Sequence, residues 1–245
     1  AIEYCGKHGI KQGIFTNGTL LDKHNLFESM VDNMTWVRIS VDTGTKESYD
    51  KIRIPKGRAG WDKMASNVSK LIEVNKSKGN KIDIGVGYVI SPHTYHEIVD
   101  FAKFFKDFDL TYCQYKPEIV IREDGGVQRD VEFWREKVEP LLKEAKSILG
   151  NKFQINGYKL EDLVHDQEKL GRNYKKCLGS QISPCIGADG HIYVCTNHRG
   201  HKQYSYGCMY DGKSFKEIWN DIQKRRQVMS QIEDVECFSN CTKLC

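Results

Sequence analysis

Residues 36–42 carry the sequence WVRISVD, whose β-branched and aromatic residues predict a strand. The polar residues Ser40 and Asp42 stand at its carboxyl end and share one face, because side chains alternate along a strand. A short helix from Gly44 to Arg53 follows, and then an amphipathic helix over residues 61–78. This stretch therefore predicts a strand–helix unit with polar side chains where the strand ends.

The same unit recurs along the first half of the chain. Predicted strands cover residues 13–15, 36–42, 81–90 and 110–116, and predicted helices cover residues 22–33, 44–53, 61–78 and a segment that opens with a capping box at Thr94–Glu97. This alternation predicts an α/β fold with a parallel sheet, open or barrel-like, and right-handed crossovers. Such folds bind ligands at the carboxyl ends of their strands. The residues at or near these ends are Asn17, Ser40, Asp42, Tyr88 and Tyr115. Each could instead serve a turn, a cap or the core.

A smaller second part follows a predicted helix from Val131 to Leu149. Gly150 ends this helix, so we divide the chain into a first domain, residues 1–150, and a second domain, residues 151–245. The second domain has a short predicted strand over residues 153–156.

A β-hairpin is predicted further along the second domain. Asp189-Gly190 forms its turn, with Ile182 and Ile186 on one arm and Ile192 and Val194 on the other. A second capping box, at Ser214–Glu217, starts a predicted helix. Its buried stripe consists of Ile218, Trp219, Ile222 and Val228.

Composition excludes several classes of protein. The chain has 245 residues, 39% hydrophobic and 29% charged, which is enough for a packed core and typical of a globular protein. It has no apolar run of the length that spans a bilayer. The net charge of +4 suits an anionic ligand without demanding nucleic acid. We therefore expect a cytoplasmic protein that binds neither membrane nor nucleic acid.

Seven of the nine cysteines lie in the last third of the chain. Cys177, Cys185 and Cys195 flank the predicted hairpin, and Cys237, Cys241 and Cys245 close the chain with three-residue spacers. Two separated groups of cysteines are what a four-thiolate metal site needs, and the spacing alone leaves zinc and iron–sulfur open. Disulfides are disfavoured, because the chain shows no signal peptide and is rich in Lys and Glu.

Taken together, four stretches resemble the radical S-adenosylmethionine (SAM) enzymes that carry a SPASM or twitch auxiliary domain. GIFTNGT at residues 13–19 resembles the third barrel strand with its TNG turn, and RISVD at residues 38–42 with the later Arg53 resembles the fourth strand. The spacing from Cys177 through Gly190 to Cys195 and the following segment to Trp219 resemble the auxiliary domain. The resemblance implies a partial (β/α) radical-SAM-type barrel followed by a small cysteine-rich auxiliary-cluster domain.

The resemblance also implies a function and its residues. Ser40 and Arg53, with Asn17 nearby, would hold the amino-acid end of SAM. The protein would act on a peptide, a protein or a small metabolite by hydrogen-atom abstraction, with electrons from a donor such as flavodoxin or ferredoxin. Cys177, Cys185, Cys195 and one of the closing cysteines Cys237, Cys241 and Cys245 would hold an auxiliary [4Fe–4S] cluster. The remaining closing cysteines could complete it or begin a second.

One departure from the family bears on catalysis. The C-x3-C-x2-C motif that holds the SAM-cleaving cluster, and the glycine-rich stretch that follows it in the family, are not found in these 245 residues. We therefore expect the 245-residue chain alone to be incomplete for catalysis, as a trimmed or degenerate relative would be. The alternative is a non-catalytic scaffold that binds an iron–sulfur cluster or zinc.

Overall fold

A computed structural model of the chain describes residues 1–53, 60–118, 130–155, 177 and 179–233. These residues belong to two compact units. The first contains the described residues up to 155, and the second contains the described residues from 177 onward. The first unit extends past residue 150, where the sequence analysis placed the domain boundary.

The first unit is built on a five-stranded parallel sheet in the order β1-β2-β3-β4-β5. Its strands are β1 (Gly13–Thr16), β2 (Trp36–Ser40), β3 (Asp83–Ile90), β4 (Tyr112–Pro117) and β5 (Phe153–Ile155). All four pairings are parallel, so the predicted α/β fold with a parallel sheet is confirmed. The described strands form an open sheet, with β1 and β5 at its edges.

One helix precedes the first strand, and the other helices of this unit lie between the strands. They are α1 (Ile2–Lys7), α2 (Leu26–Asn33), α3 (Lys46–Arg53), α4 (Trp61–Ser77), α5 (Ile98–Phe105), α6 (Val131–Phe133) and α7 (Glu139–Leu149). The predicted long helix over residues 131–149 is interrupted by a π-helical turn at Trp134–Val138. One face of the sheet forms the core with these helices; Val37 and Ile39 of β2 and Met64 and Leu71 of α4 are fully buried in it.

The second unit contains a three-stranded antiparallel sheet, β6-β7-β8. Its elements are α8 (Gly179–Ile182), β6 (Cys185–Ile186), β7 (His191–Tyr193), β8 (Ser205–Cys208), α9 (Phe215–Asn220) and α10 (Ile222–Glu233). The predicted hairpin is present and turns with Gly190 at a positive φ of 76°, where glycine is unstrained. Ile182 was wrongly assigned to its arm, since it lies in α8 and is 73% exposed.

The capping box at Ser214 is confirmed. The Ser214 side chain accepts from the Glu217 amide, and the Glu217 carboxylate accepts from the Ser214 amide. The helix it opens is interrupted at Asp221, so the predicted stripe is divided between α9 and α10, and Ile222 is exposed rather than buried. None of the described helices is long and apolar enough to cross a membrane.

Candidate functional site

The carboxyl end of β2 is held to β3 by the backbone beyond Ser40. The Val41 and Asp42 amides both donate to the Gly87 carbonyl, at 3.0 and 3.1 Å. Asp42 has a positive φ of 62°, which is uncommon for a residue other than glycine. In this conformation its Oδ1 accepts from the Val89 amide at 2.9 Å, so the carboxylate of Asp42 is fixed in place.

The other Asp42 oxygen forms an ion pair with Nη2 of Arg53, the last residue of α3. Both side chains are largely buried, with exposed fractions of 16% for Asp42 and 29% for Arg53. Burial lowers the pKa of Arg53 from its ordinary value, yet a guanidinium stays protonated in proteins. Asp42 thus binds one nitrogen of the Arg53 guanidinium and leaves the other N–H donors of Arg53 for a ligand.

Ser40 ends β2 beside this ion pair. It is half-buried, lies opposite Gly87 of β3, and makes no side-chain hydrogen bond to any part of the chain that the structure describes. Gly87 has no side chain to cover it. Ser40 therefore lies at the same end of the sheet as the Asp42–Arg53 pair, two residues before Asp42.

Asn17 lies just beyond the end of β1, where its side chain forms a turn. Oδ1 accepts from the Thr19 amide at 3.1 Å and from the Thr19 hydroxyl at 2.9 Å. The backbone carbonyl of Asn17 also accepts from the Tyr49 hydroxyl at 3.2 Å. The turn thus explains the side-chain oxygen of Asn17. Among the described residues the side-chain amide nitrogen has no hydrogen-bond partner, and it is left for a ligand.

Tyr88 and Tyr115 belong to the core rather than to a ligand site. Both are fully buried, and their rings lie 5.5 Å apart between centroids. The Tyr115 hydroxyl donates to the Ile98 carbonyl at 2.9 Å, and the Tyr88 hydroxyl donates to the Thr94 carbonyl. Burial raises the pKa of both phenols, so they stay neutral.

The predicted capping box at Thr94 was wrong. Thr94 makes no side-chain cap bond to the helix that follows, and the Glu97 carboxylate reaches the loop between β2 and α3 instead. It accepts from the Gly44 amide at 2.7 Å, from the Thr45 amide and hydroxyl, and from the Ser48 hydroxyl. The sequence pattern for a cap gave no sign of this long-range contact, which fixes the start of the helix that ends at Arg53.

Hydrogen bonds outweigh burial at Glu97. Burial acts to raise the pKa of Glu97, but the hydrogen bonds from Ser48, Gly44 and Thr45 lower it below the ordinary value of 4.5. Glu97 is therefore ionised at neutral pH, and its charge is held by the loop donors rather than by an ion pair of good geometry. We regard Glu97 as a positioning residue for α3.

Cationic residues that the sequence analysis passed over lie on the face of the sheet that bears Ser40. Arg38 lies in β2, two residues before Ser40, and Lys116 lies in β4, in register with Val89. Both are half-buried. Their alternation with buried apolar neighbours was the signal, since polar side chains at every second strand position mark a face that is not packed in the core.

Two of the predicted cluster ligands lie near one tyrosine of the second unit. Burial raises the pKa of Tyr206. Cys177 and Cys195 each raise this pKa as well, by smaller amounts. Cys185 is half-buried and pairs with Tyr193 across β6 and β7. Cys208 is buried, and its sulfur donates to the Asp189 carbonyl at 3.5 Å.

Burial raises the pKa of Cys113, in the first unit, to about 12, as expected of a core cysteine.

The described residues do not assemble a metal site by themselves. No three His, Cys, Asp or Glu side chains among them are grouped so that they could hold a metal ion. The closing residues Cys237, Cys241 and Cys245 lie outside the described residues. The six-cysteine ligand set therefore stays a prediction.

Several solved structures have a fold similar to that of this chain. SuiB from Streptococcus suis superposes with a TM-score of 0.63 at 14% identity, over 94% of this chain and 53% of SuiB. The chain therefore shares its fold with SuiB. A second structure, anSMEcpe with bound AdoMet, superposes with a TM-score of 0.57 at 19% identity, over 91% of this chain and 57% of that one.

Two further structures of SuiB contain a bound ligand. SuiB has been solved bound to S-adenosylmethionine and bound to its precursor peptide SuiA, with TM-scores of 0.62 and 0.61 and 15% identity. The present chain spans little more than half the length of these relatives. At the level of sequence, no family model matches the chain, and no curated protein matches it either.

Proposed function

We propose that this chain serves in a radical SAM maturase, an oxidoreductase that modifies a peptide, a protein or a small metabolite by hydrogen-atom abstraction. The fold shared with SuiB and anSMEcpe supports this proposal, since both have been solved with AdoMet bound. A peptide is the substrate class we favour, because SuiB has been solved with its precursor peptide.

The observation that carries the proposal is the ion pair between Asp42 and Arg53 beside Ser40. The amino-acid end of SAM carries a carboxylate and an ammonium group. A guanidinium fork binds a carboxylate in bidentate fashion, which a lysine cannot do. Arg53 would bind the SAM carboxylate, the Ser40 hydroxyl would bind the same group, and Asp42 would keep the fork oriented.

The chemistry would come from the cofactors. When bound, SAM and a reduced [4Fe–4S] cluster would supply the radical that abstracts hydrogen, and a donor such as flavodoxin or ferredoxin would supply the electron. This chain's own contribution is to bind and orient. A parallel sheet is suited to binding and orienting a ligand. The ligand lies at the carboxyl ends of the strands, where a rigid scaffold holds the reacting atoms.

We also propose that the second unit holds an auxiliary [4Fe–4S] cluster. Its ligands would be Cys177, Cys185, Cys195 and one of Cys237, Cys241 and Cys245. The spacing of these cysteines and their resemblance to the SPASM and twitch domains support this assignment. Thiolates are the usual ligands of such clusters.

Calorimetric titration of the 245-residue chain with SAM tests the proposed function. We expect SAM to bind, and Arg53→Lys to bind about tenfold more weakly, since the variant keeps the charge but loses the fork. Arg226→Lys is the matched control, because Arg226 is an exposed residue of α10. Absence of SAM binding, or equal weakening by the two variants, would overturn the proposal.

A further inference from the structure

Two cations lie on the face of the first sheet that turns away from the core. Arg38 alternates with buried residues along β2, and Gln114 and Lys116 alternate with buried residues along β4. Side chains alternate between the two faces of a sheet, so these three residues share one face, which we call the open face. A hydrogen bond that Arg38 donates to Gln114 across β3 shows that they do.

The Arg38 side chain leans along the strands toward their carboxyl ends. Its backbone is in register with Tyr112 two strands away, yet its Nη1 donates to the side-chain oxygen of Gln114, two residues beyond Tyr112. On its way it packs over Gly87, where a Cβ would lie 3.4 Å from Cδ of Arg38. Lys116 is the next residue of β4 on the open face, and two strand residues span about 7 Å. The guanidinium and the base of Lys116 are therefore separated by one such step.

Neutral partners hold the Arg38 guanidinium in place. Its Nε donates to the Tyr112 hydroxyl at 3.2 Å, and its central carbon lies 4.6 Å from the centre of the Phe15 ring. Among the described residues, Arg38 forms no ion pair with a carboxylate, and its Nη2 has no hydrogen-bond partner. Arg38 thus keeps an uncompensated charge and the two N–H donors of Nη2.

Lys116 is the second uncompensated cation. It is half-buried and has no ion pair with any carboxylate in the described ranges. Burial lowers the pKa of Lys116, and the charges of Arg38 and Arg53 lower it further. An anion between Arg38 and Lys116 would favour the charged form of the lysine and offset the cost of its burial.

The surroundings of Arg38 favour an organic acid over an inorganic anion. Phe15 is 58% exposed although it is aromatic and lies beside the guanidinium. Such a ring can pack against the carbon skeleton of a ligand, and phosphate and sulfate have none. A carboxylate also accepts readily from the N–H donors of a guanidinium. One step between the two cations leaves room for a single carboxylate.

We propose that the open face binds one organic carboxylate between Arg38 and Lys116, with the apolar body of the ligand against Phe15. This site goes beyond the proposed function, because it uses neither Ser40 nor Arg53 and does not require SAM. The carboxylate belongs either to a free acid or to the end of a peptide, and the experiment separates these two carriers.

Ligand-observed NMR titration with 3-phenylpropionate and with its uncharged amide tests the inference. We expect the acid to bind about tenfold more tightly than the amide, and more tightly than inorganic phosphate. Arg38→Gln and Lys116→Gln should each weaken binding of the acid about tenfold, as removal of one charge-assisted hydrogen bond does. Lys116→Arg should retain it. Phe15→Ala should weaken binding of 3-phenylpropionate and leave that of acetate unchanged.

The matched control is Lys103→Gln, which removes one exposed charge from α5 and should leave the binding unchanged. Equal binding of the acid and the amide would overturn the inference. So would tighter binding of phosphate than of the acid, or equal weakening by Lys103→Gln and Lys116→Gln. If Arg38→Gln fails to fold, the comparison of Lys116→Gln with Lys116→Arg decides.

A second pair of probes identifies the carrier of the carboxylate. These probes are N-acetylglycylphenylalanine, which ends in a free carboxylate, and its C-terminal amide. Tighter binding of this peptide acid than of 3-phenylpropionate supports a site for the end of a peptide. The reverse order supports a site for a free acid.

SAM separates this inference from the proposed function. Saturating SAM should leave the affinity for 3-phenylpropionate unchanged, since the SAM carboxylate is assigned to Arg53. Displacement of the acid by SAM would overturn the inference, because Arg38 and Lys116 would then hold part of SAM itself. Failure of SAM to bind contradicts the proposed function alone.

Discussion

The Asp42 carboxylate joins the Val89 amide of β3 to the Arg53 guanidinium at the end of α3. One side chain thus ties the sheet to the helix that carries the candidate SAM ligand. Asp42 reaches both partners only because its backbone adopts a positive φ. The position of the Arg53 guanidinium therefore depends on Asp42 as well as on α3.

Asp42→Asn keeps the shape of the side chain and removes its charge. We expect the free energy of unfolding to fall by roughly 1–3 kcal/mol, since Arg53 is left largely buried without its ionic partner. Urea unfolding at neutral pH measures the change. Asp62→Asn, which breaks the exposed pair with Lys46, should cost close to nothing. If Asp62→Asn lowered the free energy of unfolding as much as Asp42→Asn, the Asp42–Arg53 pair would contribute no more to stability than an exposed pair.

Glu97 should make the stability of the first unit depend on pH. The folded chain holds the pKa of Glu97 below 4.5, so the ionised carboxylate stabilises the fold above about pH 4.5. That contribution is lost as the pH falls through the lowered folded pKa. Glu97→Gln should reduce the free energy of unfolding by about 1 kcal/mol at pH 7 and flatten its decline in acid.

The matched control for Glu97 is Glu73→Gln. Glu73 is exposed, and within the described ranges it pairs only with Lys70, three residues away on α4. The control should leave both the stability and its acid dependence unchanged. An acid decline that is the same in Glu97→Gln and in the wild type would refute the assigned role of Glu97.

Gly85→Ala should destabilise the sheet, because its Cβ would lie 2.2 Å from the Tyr112 ring. We expect a loss of about 1–3 kcal/mol, the usual range for overpacking. Thermal unfolding of Gly85→Ala and of the double variant with Tyr112→Ala measures it. The cost of the alanine should be much smaller when Tyr112 is absent, and an unchanged cost would place the strain elsewhere.

Cys195→Ala should lower the iron content of anaerobically purified protein and loosen the second unit, because metal binding and folding are coupled in small metal-binding domains. Iron analysis and hydrogen exchange over residues 179–208 measure the two effects. Cys5→Ala, in α1 of the first unit, is the control and should change neither. Colourless wild-type protein with stoichiometric zinc would contradict the iron–sulfur assignment.

The sequence predicted the sheet well and the side-chain partners poorly. Thr94–Glu97 and Ser214–Glu217 share one capping pattern, yet only the second forms a cap. Glu217 is exposed and bonds Ser214, three residues before it, whereas Glu97 is buried against the loop at Gly44. A capping pattern describes residues that are close in the sequence. It cannot show that a distant segment, such as the loop at Gly44, will offer the glutamate more hydrogen-bond donors than the cap does.

The same limit applies to the candidate site. Ser40 and Arg53 were selected by their resemblance to a family, and the strand pattern correctly placed Ser40 at the end of β2. The ion pair between Arg53 and Asp42 depends on a left-handed backbone at Asp42. Aspartate tolerates that conformation, but the sequence does not require it.

Hydrogen exchange with and without SAM tests the central claim most directly, because it locates the bound ligand along the chain. We predict slower exchange on SAM binding at residues 13–19, 36–42 and 46–53, and no change at residues 75–83, near the amino end of β3. Protection confined to residues 75–83 or to the second unit, or no protection at all, would contradict the claim that SAM binds at the carboxyl end of the sheet.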